Sequence, residues 1–502
     1  MNAMHKPPDS PILQLASAAG QDYATGLLEP EIMSEKQNHF HFIGICGTAM
    51  GAVAAAMKEK GFKITGSDSA VYPPISTFLE NRGIRLERGY RAGNIPEEAD
   101  VIVVGNAISR GNEEVEEVLN RKLRYVSMPE VLKEHFLRGR RNFVVTGTHG
   151  KTTTTSLLTW ILHKGGKEPS YLIGGVPRNF DGGAKFTDGE FFVLEGDEYD
   201  TAFFDKRSKF LHYLPEAVII NNIEFDHADI FENLEAIKKS FRLMLRLVPR
   251  NGVIFANGDD PNCLDVVANA PAPVVRVGFG PDNDRRITDV VYGEDSTEFT
   301  LNAHHYTVPL NGEYNVRNAA MAVCNAEFAG MPPDRIAEAL AAFKGVARRQ
   351  DLRGEVNGVK VVDDFGHHPT AIRETAIALK RRYLGEGGRM LAIFEPRSNT
   401  TRRKVFQNEL ALALGASEMV ILAPVADPHK IPEDDRLDMD QLLDTVRTMG
   451  RSVWLEEDVD KIVARAISLV QPGDCIVVFS NGGFGGIHDK LLEALKSLQA
   501  AA

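Results

Sequence analysis

The feature that most constrains this chain is the run Thr146-Gly147-Thr148-His149-Gly150-Lys151-Thr152-Thr153. It follows a short apolar segment, Asn142–Thr146, which reads as a strand, and it precedes a helical stretch from Thr152 to about Lys164. A glycine-rich turn between a strand and a helix points successive backbone N–H groups inward, where they can cradle phosphate oxygens at the helix N-terminus. In such a loop Lys151 reaches the β- and γ-phosphates of a nucleotide, and the Thr152 hydroxyl sits on Mg²⁺. The spacing is tighter than the general P-loop, because Gly147 stands only three positions before Gly150. A glycine turn with a surface lysine is the plain alternative; the flanking strand and helix and the Lys-Thr-Thr run argue against it.

Chemistry-bearing residues gather at neighbouring strand ends. Phe191–Glu195 and Ala217–Asn221 read as strands, as does Gly252–Ala256, and a helix runs from Asn315 to about Gly330. The first strand ends in Glu195-Gly196-Asp197-Glu198, and the second runs into Asn222-Ile223-Glu224-Phe225-Asp226-His227-Ala228-Asp229. Carboxylates and an imidazole at adjacent strand ends, facing a phosphate loop, are what Mg²⁺–ATP chemistry requires.

Two further α/β units flank this one. In the first, the strand His39–Ile45 meets Gly44, Gly47 and Gly51, an alanine-rich helix reaches Lys60, and a second strand, Phe62–Thr65, ends at Gly66-Ser67-Asp68. A later strand is Val101–Val104, and this order predicts a parallel sheet with its ligand at the carboxyl ends. The glycine spacing is not G-x-G-x-x-G, so it supports a nucleotide-like diphosphate at the helix N-terminus, with Asp68 near a ribose, while a structural tight turn stays equally open. The other unit opens after Arg348-Arg349, with strands at Lys360–Asp363, Arg389–Glu395, Met419–Ala423 and Cys475–Ser480 and a helix at Pro369–Arg381. Its Asp363-Asp364, His367-His368-Pro369 and Glu395-Pro396-Arg397-Ser398 lie at loop or strand ends, and suggest a third wall closing on the other two.

The 502 residues, 43% of them hydrophobic, supply enough apolar material for three cores. The expected division is a flexible extension over 1–38, rich in proline (Pro7, Pro8, Pro11, Pro30), then units over 39–140, 141–345 and 346–502. A formal net charge of −12 argues against holding nucleic acid or an anionic membrane through a general basic field. No apolar run approaches the roughly 18–20 residues of a membrane span, and no leader pattern opens the chain, so a cytoplasmic protein without membrane insertion is expected. Cys46, Cys263, Cys324 and Cys475 are scattered without metal or disulfide spacing, which suits a reducing compartment.

The glycine turn at 44–51, the loop at 146–153, the Asn222–Asp229 run, Glu313-Tyr314-Asn315-Val316-Arg317-Asn318-Ala319-Ala320 and Asp363-Asp364-Phe365-Gly366-His367-His368-Pro369 together resemble the Mur ligase family, in order and spacing, along about residues 39–490. The resemblance implies an α/β fold of three domains: a Rossmann-like N-terminal UDP-sugar-binding domain, a central P-loop ATPase domain, and a Rossmann-like C-terminal domain that carries the incoming amine. It implies an ATP-dependent acid–amine ligase that works through an acyl phosphate. By the same resemblance Gly147, Thr148, His149, Gly150, Lys151, Thr152, Thr153, Asn222, Asn315, Asn318, Arg349 and Asp364 would contact ATP. Thr152 and Glu195 would hold one Mg²⁺ and His227 a second, making Lys151, Glu195 and His227 the catalytic set. Gly44, Cys46, Gly47, Thr48, Asp68, Asn106 and Ala107 would bind the UDP-sugar.

Within the family, the segments at 105–112, 198–209, 394–400 and 480–488 point to members that join the tripeptide L-alanyl-γ-D-glutamyl-meso-diaminopimelate to UDP-N-acetylmuramate in peptidoglycan recycling. The alternative is the ligase that adds L-alanine to the same acceptor during de novo synthesis. Choosing the peptide needs groups that meet its carboxylates. Arg397 offers a planar fork for one, with Ser398, Asn399 and Thr400 beside it, although an ion pair with Glu395 is its other use. Two departures from the family pattern stand out: Phe241 replaces the carbamylated lysine of several relatives, and Tyr314 stands where relatives have histidine. A nicotinamide-dependent oxidoreductase built on the Gly44 turn would leave the Lys151 loop unexplained, and a noncatalytic scaffold would need none of Lys151, Thr152, Glu195 and His227.

Overall fold

A computed structural model describes residues 39–73 and 75–501; the proline-rich segment 1–38, read above as a flexible extension, lies outside the described residues. The first sheet is built from β1 (His39–Ile43), β2 (Lys63–Asp68), β3 (Arg85–Arg88), β4 (Val101–Val104) and β5 (Tyr125–Ser127). All its pairs are parallel and the order is β3-β2-β1-β4-β5. β1 and β4 are buried at every position, as a strand covered on both faces must be. Helix α1 (Thr48–Glu59) leaves the carboxyl end of β1, where the strand order reverses, so the crevice of this sheet opens over the glycine turn.

The central sheet has ten strands: β6 (Arg141–Thr146), β7 (Ser170–Leu172), β8 (Ala184–Lys185), β9 (Phe191–Glu195), β12 (Ala217–Ile220), β13 (Val253–Asn257), β14 (Val274–Gly278), β15 (Arg285–Tyr292), β16 (Thr297–Leu301) and β17 (His304–Val308). Their order is β17-β16-β15-β14-β13-β12-β6-β9-β7-β8, with a parallel middle and antiparallel edges. A separate hairpin, β10 (Asp200–Ala202) with β11 (Asp205–Ser208), follows β9. Helix α2 (Lys151–Lys164) begins with Lys-Thr-Thr-Thr-Thr, a β-branched run with poor intrinsic helix propensity. Burial holds it instead: Thr152 to Thr155 are all inside, the Thr155 hydroxyl donates to the Lys151 carbonyl at 2.8 Å, and the helix packs on α4 (Glu313–Phe328). Between them in sequence comes α3 (Leu234–Leu245), whose Phe241 is wholly buried in a separate apolar cluster with its ring 5.3 Å from that of Phe210.

The third sheet comprises β18 (Asp351–Val356), β19 (Val359–Asp364), β20 (Met390–Phe394), β21 (Met419–Leu422), β22 (Ser452–Leu455) and β23 (Cys475–Phe479) in the order β18-β19-β23-β20-β21-β22. Only β18 runs antiparallel, and α5 (Pro369–Tyr383) follows β19.

The two seams between these sheets differ in kind. Between the first and central units one apolar cluster runs without a break, through Phe62, Phe136, Phe186 and Phe192, with the Phe136 and Phe186 rings 4.3 Å apart. Between the central and third units one aromatic contact, Phe225 with its ring 6.4 Å from that of Phe406, is accompanied by polar ones: Asn399 Nδ2 donates to Asp229 Oδ2 at 2.7 Å, Thr400 Oγ1 donates to Asp226 Oδ1 at 2.7 Å, and Arg178 pairs with Asp351. No helix among the described residues is long and apolar enough to cross a membrane.

Candidate active site

The carboxyl ends of β6, β9 and β12 converge beneath the turn that opens α2. Gly147 (φ 125°) and Gly150 (φ 80°) take left-handed conformations that disfavour any side chain, and a Cβ at Gly150 would collide with the Asn318 side-chain oxygen. Asn222 braces the turn from the opposite strand, accepting from His149 N at 2.7 Å and donating to the His149 carbonyl at 3.2 Å. Thr148 is tied in both directions, to Asn222 O through its N–H and to Glu224 through its hydroxyl.

Lys151 sits at the centre of the charge. Its Nζ donates to Gly147 O at 2.7 Å and to Glu198 Oε2 at 2.9 Å, and Glu198 Oε1 lies 3.4 Å from His227 Nε2. Burial alone would lower the Lys151 pKa, but the Glu198, Asp197 and Glu195 carboxylates outweigh it and raise it. Burial opposes ionisation of Glu198, yet Lys151 and His227 pull its pKa down, and in return the His227 imidazole rises to about 9 against its own desolvation. His227 adopts φ 53°, a conformation that costs a non-glycine residue about 1–2 kcal/mol and that the surrounding contacts must hold.

Glu195 is different. It accepts from the Thr152 hydroxyl at 3.0 Å and from Gly174 N at 2.7 Å, has no cation in direct contact among the described residues, and burial pushes its pKa up. Asp197 is held low, against burial, by Lys209, Lys151 and His227, with Lys209 Nζ at 2.6 Å. Three carboxylates, Glu198 buried and Glu195 and Asp197 partly so, thus face two lysines and one imidazole, and the donor atoms of Asp197, Glu198 and His227 lie within 4.8 Å of one another. This hard-oxygen set with one imidazole, and the under-neutralised Glu195 beside the Thr152 hydroxyl, suits a divalent cation such as Mg²⁺.

Two cavities meet here. The larger, of about 730 Å³, is lined by the turn, by Glu195, Asn222, Asn315 and Asn318, and by Arg349, Asp364, His367 and His368 from the third unit. The smaller, of about 340 Å³, is lined by Arg397, Ser398, Asn399, Thr400 and Asn481. Asp226, His227 and His367 belong to both walls.

The sequence-read residues fall unevenly around these spaces. Arg349 stacks over Phe365 with its Nη2 3.5 Å from the Thr152 hydroxyl. Asp364 accepts from Gln350 N and Gly366 N at 2.8 Å each, and burial pushes its pKa up. Asn315 donates to Asn311 O at 2.8 Å, and Asn318 to Asn315 Oδ1 at 3.3 Å. Tyr314 hydrogen-bonds Thr375 and Gln350. In the first unit the Asp68 carboxylate accepts from Cys46 N and Ala70 N, so it clasps the glycine turn; Gly47, Thr48 and Ala107 are exposed, and Asn106 donates to Asp200 of the hairpin. Near the smaller cavity Ser398 closes its own turn onto Thr401, Asn399 and Thr400 reach the central unit, and Arg397 is half-exposed with Nη1 3.5 Å from Glu395. Of the two uses weighed for Arg397, the ion pair with Glu395 is present, and the side chain also lines the smaller cavity.

Glu198, which bridges Lys151 and His227, was not singled out by sequence reasoning. Its only signal was its place in an acidic run after a strand, where nothing says which carboxylate turns inward.

Known proteins match along most of the chain. Sequence profiles match in three blocks: Mur ligase family, catalytic domain, over residues 39–140; Mur ligase middle domain over 145–326; and Mur ligase, glutamate ligase domain, over 348–482. A UDP-N-acetylmuramate–L-alanyl-γ-D-glutamyl-meso-2,6-diaminoheptandioate ligase of Escherichia coli strain K12 is 41% identical over 475 residues, covering 92% of this chain and 99% of that protein. A UDP-N-acetylmuramate–L-alanine ligase of Geobacter sp. strain M21 is 32% identical over 473 residues, 93% of this chain and 99% of its own. The crystal structure of a murein peptide ligase from Psychrobacter arcticus superposes with a TM-score of 0.70 at 36% identity, covering 91% of this chain and 98% of that one.

Proposed function

The chain belongs to the Mur ligase family, and from that premise we propose that it joins L-alanyl-γ-D-glutamyl-meso-diaminopimelate to UDP-N-acetylmuramate, with ATP, in peptidoglycan recycling. The family consists of ATP-dependent acid–amine ligases. The observation that carries the reading is the shared wall: Asp226, His227 and His367 border both cavities, so a nucleotide's terminal phosphate and an incoming amine can approach one carboxylate from opposite sides. The higher identity to the tripeptide ligase than to the L-alanine ligase favours the peptide as amine donor.

In the proposed reaction an oxygen of the lactyl carboxylate attacks the γ-phosphorus of ATP, and the β–γ bridging oxygen leaves with ADP. The alanyl amine then attacks the acyl-phosphate carbonyl, loses a proton, and expels inorganic phosphate. Two anions must meet in the first step, so positive charge has to be in place beforehand. Lys151 supplies it by exchanging Glu198 and its own loop carbonyls for phosphate oxygens, and Arg349 adds a second cation from the third unit. Mg²⁺, held by Thr152 and Glu195 at one position and by His227 beside Glu198 at another, would neutralise phosphate charge. Asn222 keeps the turn in shape, while Asp364 fixes the backbone at Gln350 and Gly366 so that the third unit closes over the nucleotide and excludes water. In the smaller cavity Arg397 would meet a peptide carboxylate, and the buried Asn481 Oδ1, with no partner among the described residues, is an acceptor available to a peptide N–H. The glycine turn, Cys46, Asp68 and Asn106 would receive the UDP-sugar.

The test is ADP release with UDP-N-acetylmuramate and either tripeptide or L-alanine as amine donor. The tripeptide should give the far higher kcat/KM. Equal values would favour the L-alanine ligase, and no release with either would overturn the ligase reading.

A further inference from the structure

His227 stands in the wall common to both cavities with its backbone at φ 53°, and two adjacent side chains of the third unit end on either side of it. Thr400 Oγ1 donates to Asp226 Oδ1 at 2.7 Å, the oxygen that also accepts from His227 N at 2.7 Å. Asn399 Nδ2 donates to Asp229 Oδ2 at 2.7 Å, and the Tyr199 hydroxyl donates to that same oxygen. Tyr199 belongs to the acidic run after β9. Its N–H donates to Asp197 Oδ1 at 3.2 Å, and its ring meets the His227 imidazole edge-on with centroids 5.0 Å apart. Asp229 thus joins a residue that lines the smaller cavity to one that rests on His227.

Each link has a fixed direction. Arg402, buried and able only to donate, gives Nη2 to Asn399 Oδ1 at 2.6 Å, which leaves the Asn399 amide N–H groups to face Asp229. Burial pushes the Tyr199 pKa up, so its hydroxyl keeps the proton it donates. Asp229 receives both bonds on Oδ2, while its buried Oδ1 has no hydrogen-bond partner among the described residues. A plain docking contact could use a neutral acceptor and avoid the cost of that orphaned oxygen. What a carboxylate adds is two charge-assisted bonds, each about twice as strong as a neutral one, drawn from both sides of the seam.

We propose that Asp229 is a positioning residue for ligation: by holding Tyr199 and Asn399 on one oxygen, it sets His227 and the amine-donor loop at 398–402 in place together. Asp229 itself lines neither cavity, so it acts through these neighbours. An amine donor in the smaller cavity lies against Asn399 and Thr400, and their side chains pass its position on to the backbone around His227. The kinetic consequence rests on the ligase reading; the chain of contacts does not.

Two measurements on the full-length protein test this. In turnover with tripeptide and UDP-N-acetylmuramate, Tyr199→Phe and Asn399→Ala should each lower kcat by roughly tenfold or more, the scale of losing one bond to a charged group. KM for ATP and for the UDP-sugar should stay near that of the parent. The double variant should lose no more than the worse single one, because a chain cut once is already cut. Tyr199→Phe combined with Arg178→Ala, which removes the ion pair with Asp351 elsewhere on the seam, should instead show multiplied losses. Asp229→Asn, which keeps an acceptor without the charge, should recover part of what Asp229→Ala loses. Multiplied losses in Tyr199→Phe with Asn399→Ala, or near-parent kcat in Asp229→Ala, would overturn the proposal. Should Asp229→Ala fail to fold by circular dichroism, the other variants carry the test. The second measurement is amide hydrogen exchange without nucleotide, which decides the matter even if the parent releases no ADP and the ligase reading falls. Exchange across residues 226–231 should quicken in Asp229→Asn and Asn399→Ala but not in Arg178→Ala; equal rates in all three and the parent would overturn the relay.

Discussion

The seam between the first and central units and the seam between the central and third units border the same catalytic space but are made of opposite materials. The first is a continuous aromatic and aliphatic core, Phe62 to Phe136 to Phe186 to Phe192, supplemented by Asn106 on Asp200. The second has Phe225 against Phe406 as its apolar contact and otherwise relies on hydrogen bonds and ion pairs at Asn399, Thr400, His368 and Arg178. Parting an apolar interface exposes surface at roughly 25 cal/mol per Å², whereas a parted polar one exchanges its hydrogen bonds for water at about 0.5–1.5 kcal/mol each. The contrast predicts that the first seam stays joined under conditions in which the second parts.

The largest expected effect falls on the apolar seam. Phe136→Ala should cost about 3–5 kcal/mol of stability, read as an early loss of the first and central units together in thermal unfolding. A separate low-temperature transition for the first unit alone would show that the seam is not one core. Just behind comes Lys151→Ala, on the floor of the cleft that the polar seam covers. It should lower kcat by at least about 10²–10³-fold, the scale of losing one preorganised charge donor, while UDP-sugar binding by calorimetry stays near that of the parent. A folded variant with normal turnover would remove the lysine from the chemistry.

At the polar seam Thr400→Ala removes one bond to Asp226 and should cost only about 1–2 kcal/mol, visible as reduced kcat/KM for the amine donor with a Tm shift well below that of Phe136→Ala. A shift as large as that of Phe136→Ala would erase the distinction between the seams. The smallest effect concerns Cys46 beside the first-unit turn, where burial and then Asp68 push the thiol up to about 11. Because the thiolate is the nucleophile, alkylation should be slow at pH 8, with about one thiol in a thousand ionised, and should accelerate toward pH 11. Bound UDP-sugar should slow it further, while rapid labelling at pH 7 would show an open turn.

Local pattern carried much of this architecture. The strand–turn–helix at 141–164, the strand ends at Glu195 and Ile220, and the third-unit strands all announce themselves as short apolar runs between glycines and polar residues, because sheets covered on both faces leave little alternation. What the chain does not spell out is how a functional group spends its hydrogen bonds. Asp68 and Asn222 stand where a ligand contact is expected, and both are occupied with backbone, Asp68 with Cys46 N and Ala70 N and Asn222 with His149 of the turn before α2. Glu198 and Asp226 draw their meaning from partners on other segments: Lys151 is 47 residues from Glu198, and Thr400 is 174 from Asp226. Such pairings depend on the sheet order and on how the third unit docks, neither of which leaves a mark on the residues nearby.

The collision between a side chain at position 150 and the Asn318 oxygen has a consequence for sequence variation. The two positions act as one genetic unit. Gly150→Ala should be nearly lethal to activity in the parent, and a second change that shortens Asn318, such as Asn318→Ser, should partly rescue it, because only the collision is relieved. The left-handed backbone at φ 80° would still penalise alanine by about 1 kcal/mol, so rescue should stop short of full recovery. In a saturation library covering both positions, survivors with a residue other than glycine at 150 should therefore carry a smaller residue at 318, and the reverse dependence should be absent.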